Sequence, residues 1–219
     1  MGFALRNRKC CWMVGRRRIA GKNGRRHGNT RYWSQPIPAT FTLILFDHEY
    51  LPIHNRAAIQ TAAPLTLETY QPRGNTALLD AIGRTIDYIG SELAATPEPE
   101  RPSKVIIAIL TDGEENSSRK FTMADINQRI TQQTMIYHWE FLFLGANQDA
   151  IATAAHMGIQ AHNSATFIAD DDDIKAGSLA FAYKISANRR QAARCKLAVA
   201  EVASVAESMG ETLEKSRKK

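Results

Sequence analysis

Residues 105–110, Val-Ile-Ile-Ala-Ile-Leu, are six consecutive aliphatic side chains with no polar interruption, and they run directly into Thr111-Asp112-Gly113. A strand with one wet face alternates apolar and polar residues. A strand that does not alternate is covered on both faces, which is the condition of a central strand in a parallel sheet with helices above and below it. In open sheets of that kind ligands bind in the crevice outside the carboxyl ends of the strands. An Asp placed immediately after such a strand falls at that crevice, so Asp112 is the first candidate site residue.

From residue 40 onward the chain alternates strand and helix signals. Residues 41–46 are β-rich and end at Asp47, and residues 50–53 read as a short edge partner, because Pro52 lacks the amide that a central strand needs. Leu78, Leu79, Ile82, Ile86 and Ile89 mark one face of a helix over 77–89. A second helix is expected over 121–137, a strand over 139–144 closing at Gly145, a helix over 148–156 stopping at Gly158, and a last short strand over 165–168. Asp170 to Asp173 precede a helix and read as its N-cap and as favourable partners of its dipole. This alternation predicts an α/β fold: a doubly wound, mostly parallel sheet flanked by helices, Rossmann-like in its layering.

Charge divides the chain. Residues 1–46 hold ten Lys or Arg and no acid, while the remaining 173 residues carry 18 basic side chains against 22 acids, so the net charge of +6 belongs to the first fifth. That fifth also holds several Gly and Pro and no periodicity after Val14. The composition therefore predicts three parts: a basic, irregular segment over 1–39, an α/β domain over 40–187, and a helix with a basic tail over 188–219. In the last part Cys195, Val199, Val202, Ala206, Met209 and Leu213 recur at steps of four and three, a narrow seam that either docks on its own domain or pairs two copies as a homodimer through residues 195–213.

Several classes are set aside by what the chain lacks. No stretch approaches the ~18 apolar residues of a membrane span, and the basic start has no apolar core of ~7–15 residues behind it, so neither a membrane partner nor secretion is expected. Three cysteines without metal-like spacing fit a reducing compartment, hence the cytoplasm. No nucleophile elbow, phosphate-binding loop or dinucleotide fingerprint is present, so an enzyme is not expected. The five histidines from His48 to His162 show no paired spacing, and Glu114 and Glu115 read as solvated loop acids.

Two segments converge on the predicted carboxyl edge: Gly74-Asn75-Thr76 at a helix start and Thr111-Asp112-Gly113 after the buried strand. A hydroxyl and a carboxylate are hard oxygen donors suited to magnesium or manganese. Here the chain resembles the von Willebrand factor type A (vWA) domain. The resemblance rests on Leu45-Phe46-Asp47 closing a strand, on the segment from Gly74 to Ile82, on the buried strand into Thr111-Asp112-Gly113-Glu114-Glu115-Asn116, and on Trp139 to Asn147, and it spans about residues 40–180. In that family a metal-ion-dependent adhesion site combines an Asp-x-Ser-x-Ser loop after the first strand with a Thr and an Asp from two further loops. The last two map onto Thr76 and Asp112. The first has no counterpart, since no acid precedes Asp47. The resemblance thus implies a protein-interaction module with an incomplete site, taking an acidic side chain of a partner with magnesium or manganese.

Three readings of residues 1–39 stand side by side. The segment has the length of the family's first strand and helix but the composition of neither, as a shifted reading frame or wrong start would give. Alternatively it is a basic arm, whose cations over residues 6–31, interleaved with Trp12, Tyr32 and Trp33, would associate with nucleic acid by phosphate neutralisation and stacking. In the third reading residues 10–14 occupy the place of the missing central strand and Gly15 to Arg18 lie where the metal loop should be. A metal-dependent hydrolase built on the same two ligands is a further alternative function.

Overall fold

The computed structural model describes residues 9–17, 39–66, 74–146, 149–192 and 206–218; for residues 9–17 the description is of backbone course and pairing. Six strands form one sheet: β1 (Lys9–Arg17), β2 (Thr40–Phe46), β3 (Tyr50–Ala58), β4 (Pro102–Thr111), β5 (Glu140–Ala146) and β6 (Ser164–Phe167), in the order β3-β2-β1-β4-β5-β6. The helices are α1 (Leu78–Ala95), α2 (Met123–Tyr137), α3 (Ala150–His156), α4 (Asp171–Ala192) and α5 (Met209–Arg217). None of them is long and apolar enough to cross a membrane.

The central run behaves as its composition dictates. Successive side chains of a strand point to opposite faces. Val105, Ile107 and Ile109 therefore enter one core, with Ile44, Phe46, Phe141 and Phe143 and the apolar stripes of α1, α2 and α3. Ile106, Ala108 and Leu110 enter the other, with Leu43, Leu45, Leu142, Leu144, α4 and α5. Both faces are covered, as the absence of alternation requires, and burying each large aliphatic side chain contributes about 1.5–3 kcal/mol. Packing between α1 and the loop before α2 is close: a Cβ on Gly83 would stand 2.6 Å from the Phe121 ring, so only glycine fits beneath it.

The expectation of a mostly parallel sheet holds for only half of it. β4, β5 and β6 are parallel, but β1 runs antiparallel to both β2 and β4, and β3 is antiparallel to β2. β1 and β2 are consecutive in the chain and neighbours in the sheet, and so are β2 and β3. With these strand directions β2, β4, β5 and β6 present their carboxyl ends on one edge, while β1 and β3 end on the opposite one.

The strand β1 also corrects the reading of residues 1–39 as irregular over Lys9–Arg17, which do occupy the central position. Their direction overturns the placement of the arginines. Lys9 pairs with Phe46 at the carboxyl edge, whereas Gly15 pairs with Val105 and Arg17 with Pro102 at the amino edge. At about 3.3 Å per residue, that sets the arginine end roughly 30 Å from Asp112. Residues 1–8 and 18–38, which carry the rest of the basic arm, lie outside the described residues.

The tail departs from expectation too. α4 begins at Asp171 and crosses the boundary expected at 187/188, and a separate helix, α5, starts after Ser208, whose side chain accepts from the Glu211 amide in a capping box. Met209 and Leu213 are buried in the core of their own domain, so at these two positions the seam docks on its own domain, the first of the two alternatives. Cys195, Val199 and Val202 lie outside the described residues. Asp170 does cap α4, accepting from the Asp173 amide at 2.7 Å.

Candidate functional site at the carboxyl edge

The amino end of α1 reaches the sheet edge between β2 and β4. Its N-cap residue, Ala77, has no side chain with which to satisfy the first amides of the helix. The loop after β4 supplies them instead. Glu115 Oε2 accepts from the Leu79 amide at 2.9 Å, and Ser118 Oγ accepts from the Asp80 amide at 3.0 Å. Glu115 Oε1 meanwhile holds its own loop, accepting from the Ser117 and Ser118 amides at 2.9 and 2.7 Å. A carboxylate here also faces the positive end of the helix dipole. The expectation that Glu115 is a solvated loop acid is therefore wrong, because its oxygens replace a cap that the sequence around Ala77 does not provide; Glu114 is exposed as expected.

The same loop grips Thr76. The Thr76 amide donates to Asn116 Oδ1 at 2.9 Å and to Ser117 Oγ at 3.1 Å, and the Thr76 carbonyl accepts from the Asn116 and Ser117 amides at 3.0 and 3.1 Å. Thr76 is 1% exposed. Asp112, half-buried, lies four residues before Asn116 at the end of β4, after Thr111, whose hydroxyl donates to the Gly113 carbonyl at 2.8 Å. Thus the segments carrying the two predicted site residues are stitched together through Asn116 and Ser117 at one edge of the sheet.

Asp80 completes the lacing in the reverse direction. Its carboxylate accepts from the amides of Arg119, Lys120 and Phe121 at 2.9–3.0 Å. Partial burial pushes its pKa up, but the three amides together with the Arg84 guanidinium outweigh that and hold it below the usual carboxylate range.

Asp47 is a further acid at this edge, recognisable in the sequence as a strand end. It is 2% exposed, its carbonyl accepts from the Ala77 amide at 2.6 Å, and its Oδ1 accepts from the Glu49 amide at 2.6 Å. An Asp directly after a buried strand was the available signal, the same one that identified Asp112.

Thr76 and Asp112 suit magnesium or manganese in kind, as hard oxygen donors, but fall short in number. Magnesium takes about six oxygens in near-octahedral geometry. Among the described residues no three of His, Cys, Asp and Glu are grouped as metal ligands would be. That holds for Asp170 to Asp173 as well: Asp170 caps α4, while Asp173 turns away to Arg217. Thr76 and Asp112 by themselves would therefore form at most part of a coordination shell. Comparison with protein-family models, with curated proteins and with solved structures gave no match.

Proposed function

We propose that the chain is a protein-interaction module of the vWA type, whose carboxyl edge at β2, β4 and the start of α1 receives an acidic side chain of a partner. The observation that carries this reading is the coupling of the Thr76 and Asp112 segments by the Asn116 and Ser117 bonds, which gives two oxygen donors a rigid, shared base. The direction of the strands adds support, because β2, β4, β5 and β6 all end on this edge and ligands of open parallel sheets bind outside the carboxyl ends of the strands. Preorganised donors lower the cost of ordering a site on binding.

With Thr76 and Asp112 as its ligands, magnesium or manganese would keep most of its water and bind weakly alone. A partner carboxylate adds a third anionic or hard donor, so ion and acidic partner are expected to strengthen one another. Calorimetry tests this with manganese and magnesium chloride, with and without a glutamate-bearing peptide. Weak binding that tightens with the peptide and disappears in Asp112→Ala is the expected result. No heat from either ion under either condition overturns the metal-dependent form of the reading. The function requires no catalysis, and metal-stimulated phosphatase or nuclease activity would favour the hydrolase alternative instead.

A further inference from the structure

We propose that a cleft at the opposite, amino edge of the sheet is a binding site for one planar heteroaromatic ring with an amide-type edge, of the pyrimidine-base class. The cleft lies between α2, the start of β5 and the turn before β6, and its volume is about 130 Å³. An apolar cavity of ~150 Å³ holds one benzene molecule, so this space is matched to a single six-membered ring and is too small for a drug-sized ligand.

Its walls decide which ring. Ile130, Trp139, Phe141 and Ile159 line it and are all buried, and the two aromatic rings stand 6.5 Å apart, tilted by 31°, giving an apolar, largely aromatic floor. The polar lining includes Thr134, Gln160 and Asn163. Among the described residues, none of these three side chains has a hydrogen-bond partner in the protein. Two amides and a hydroxyl are each donor and acceptor at once. They match the alternating donors and acceptors along the edge of a pyrimidine, while a purely apolar ring would strip them of water and return nothing.

The charges at the cleft point to a neutral ligand. Lys104 and Glu140 also line it, but they pair with each other at 3.0 Å, and each has a second partner: Lys104 Nζ donates to the His138 carbonyl, and Glu140 accepts from Asn188. Neither charge calls for a counter-ion from a ligand. Aromatic floor with hydrogen bonding at the rim is how proteins hold single unstacked bases.

Ligand-observed saturation-transfer NMR on the full chain tests the proposal, with uracil and cytosine as free bases, uridine as a nucleoside, and benzene as an apolar ring of the same size. Saturation transfer to at least one pyrimidine is expected, with uridine against uracil telling whether a pendant sugar is tolerated. Replacing both rim amides, Gln160→Ala with Asn163→Ala, is expected to weaken binding about tenfold or more, which is 1.4 kcal/mol, at an unchanged melting temperature. Thr134→Phe, which fills the cleft from its half-buried rim, is expected to abolish it. No transfer to any of the pyrimidines up to their solubility limits, equal binding of benzene, or binding indifferent to the rim substitutions would each overturn the assignment.

Discussion

At Glu115 a single carboxylate accepts from Leu79 at the start of α1 and from Ser117 and Ser118 of its own loop, doing for the helix what a Ser or Asp at position 77 would have done. Glu115→Ala is expected to cost about 1–2 kcal/mol, the range of a lost N-cap, and to loosen Thr76, visible as a lower melting temperature and faster amide exchange at residues 76–80. Asp80→Ala leaves three amides of the facing loop without their acceptor, for an expected loss of about 2–3 kcal/mol by chemical denaturation. Gly83→Ala drives a methyl into Phe121 and is expected to destabilise by about 1–3 kcal/mol. The acids also set a pH dependence. Asp80, Asp125, Asp173 and Glu211 all have pKa values lowered in the fold. A depressed carboxylate pKa contributes stability that is fully present above the unfolded value, about 4, and is lost as pH falls through the folded value. Melting temperature is therefore expected to fall steeply below about pH 4 and less steeply in Asp80→Asn.

Among the elements, α5 is held to α4 by an ion pair as well as by its buried Met209 and Leu213. Arg217 Nε donates to Asp173 Oδ1 at 2.6 Å and Nη2 donates to Oδ2, tying the end of α5 to the start of α4. The bond to Arg217, opposed by partial burial and helped by the Ile168 amide, keeps the Asp173 carboxyl below its usual range. Arg217→Ala is expected to cost about 2–3 kcal/mol, less than a fully buried pair because the guanidinium is 30% exposed, and to release α5 first in hydrogen exchange. Most elements were legible in the sequence for a physical reason: β2, β4, β5 and α1 carry apolar runs or stripes whose period matches their structure. α4 was not. Its buried face includes Asp173, Lys184 and Asn188, polar residues that blur the stripe, and Lys184 is 1% exposed with its ammonium donating to the Glu207 carbonyl. The site was half legible. Thr76 and Asp112 follow recognisable local signals, whereas Glu115, Asn116 and Ser117 act across some 36–41 residues, a separation that no local pattern records.

For the whole molecule the decisive fact is the direction of β1, which an apolar run cannot announce. Residues 10–14 read the same in either sense, and only the pairing of Lys9 with Phe46 and of Arg17 with Pro102 settles it. β2 and β4 are joined through β1 alone, so the sheet consists of the pair β3-β2 and the trio β4-β5-β6 with one shared member between them. Without it, two buried strand edges lose their partners, at about 1–3 kcal/mol for each backbone group left unsatisfied. Met13→Pro, which removes an amide in the middle of β1, is expected to lower the melting temperature sharply relative to the unaltered chain and to bring aggregation, followed by calorimetry and light scattering. A mechanical consequence follows from the same geometry. A pull on the chain at Lys9, along the strand axis, draws β1 past both neighbours and loads the two ladders in shear together, so resistance stays high until the strand slips and then vanishes at once, leaving the sheet in two separate leaves.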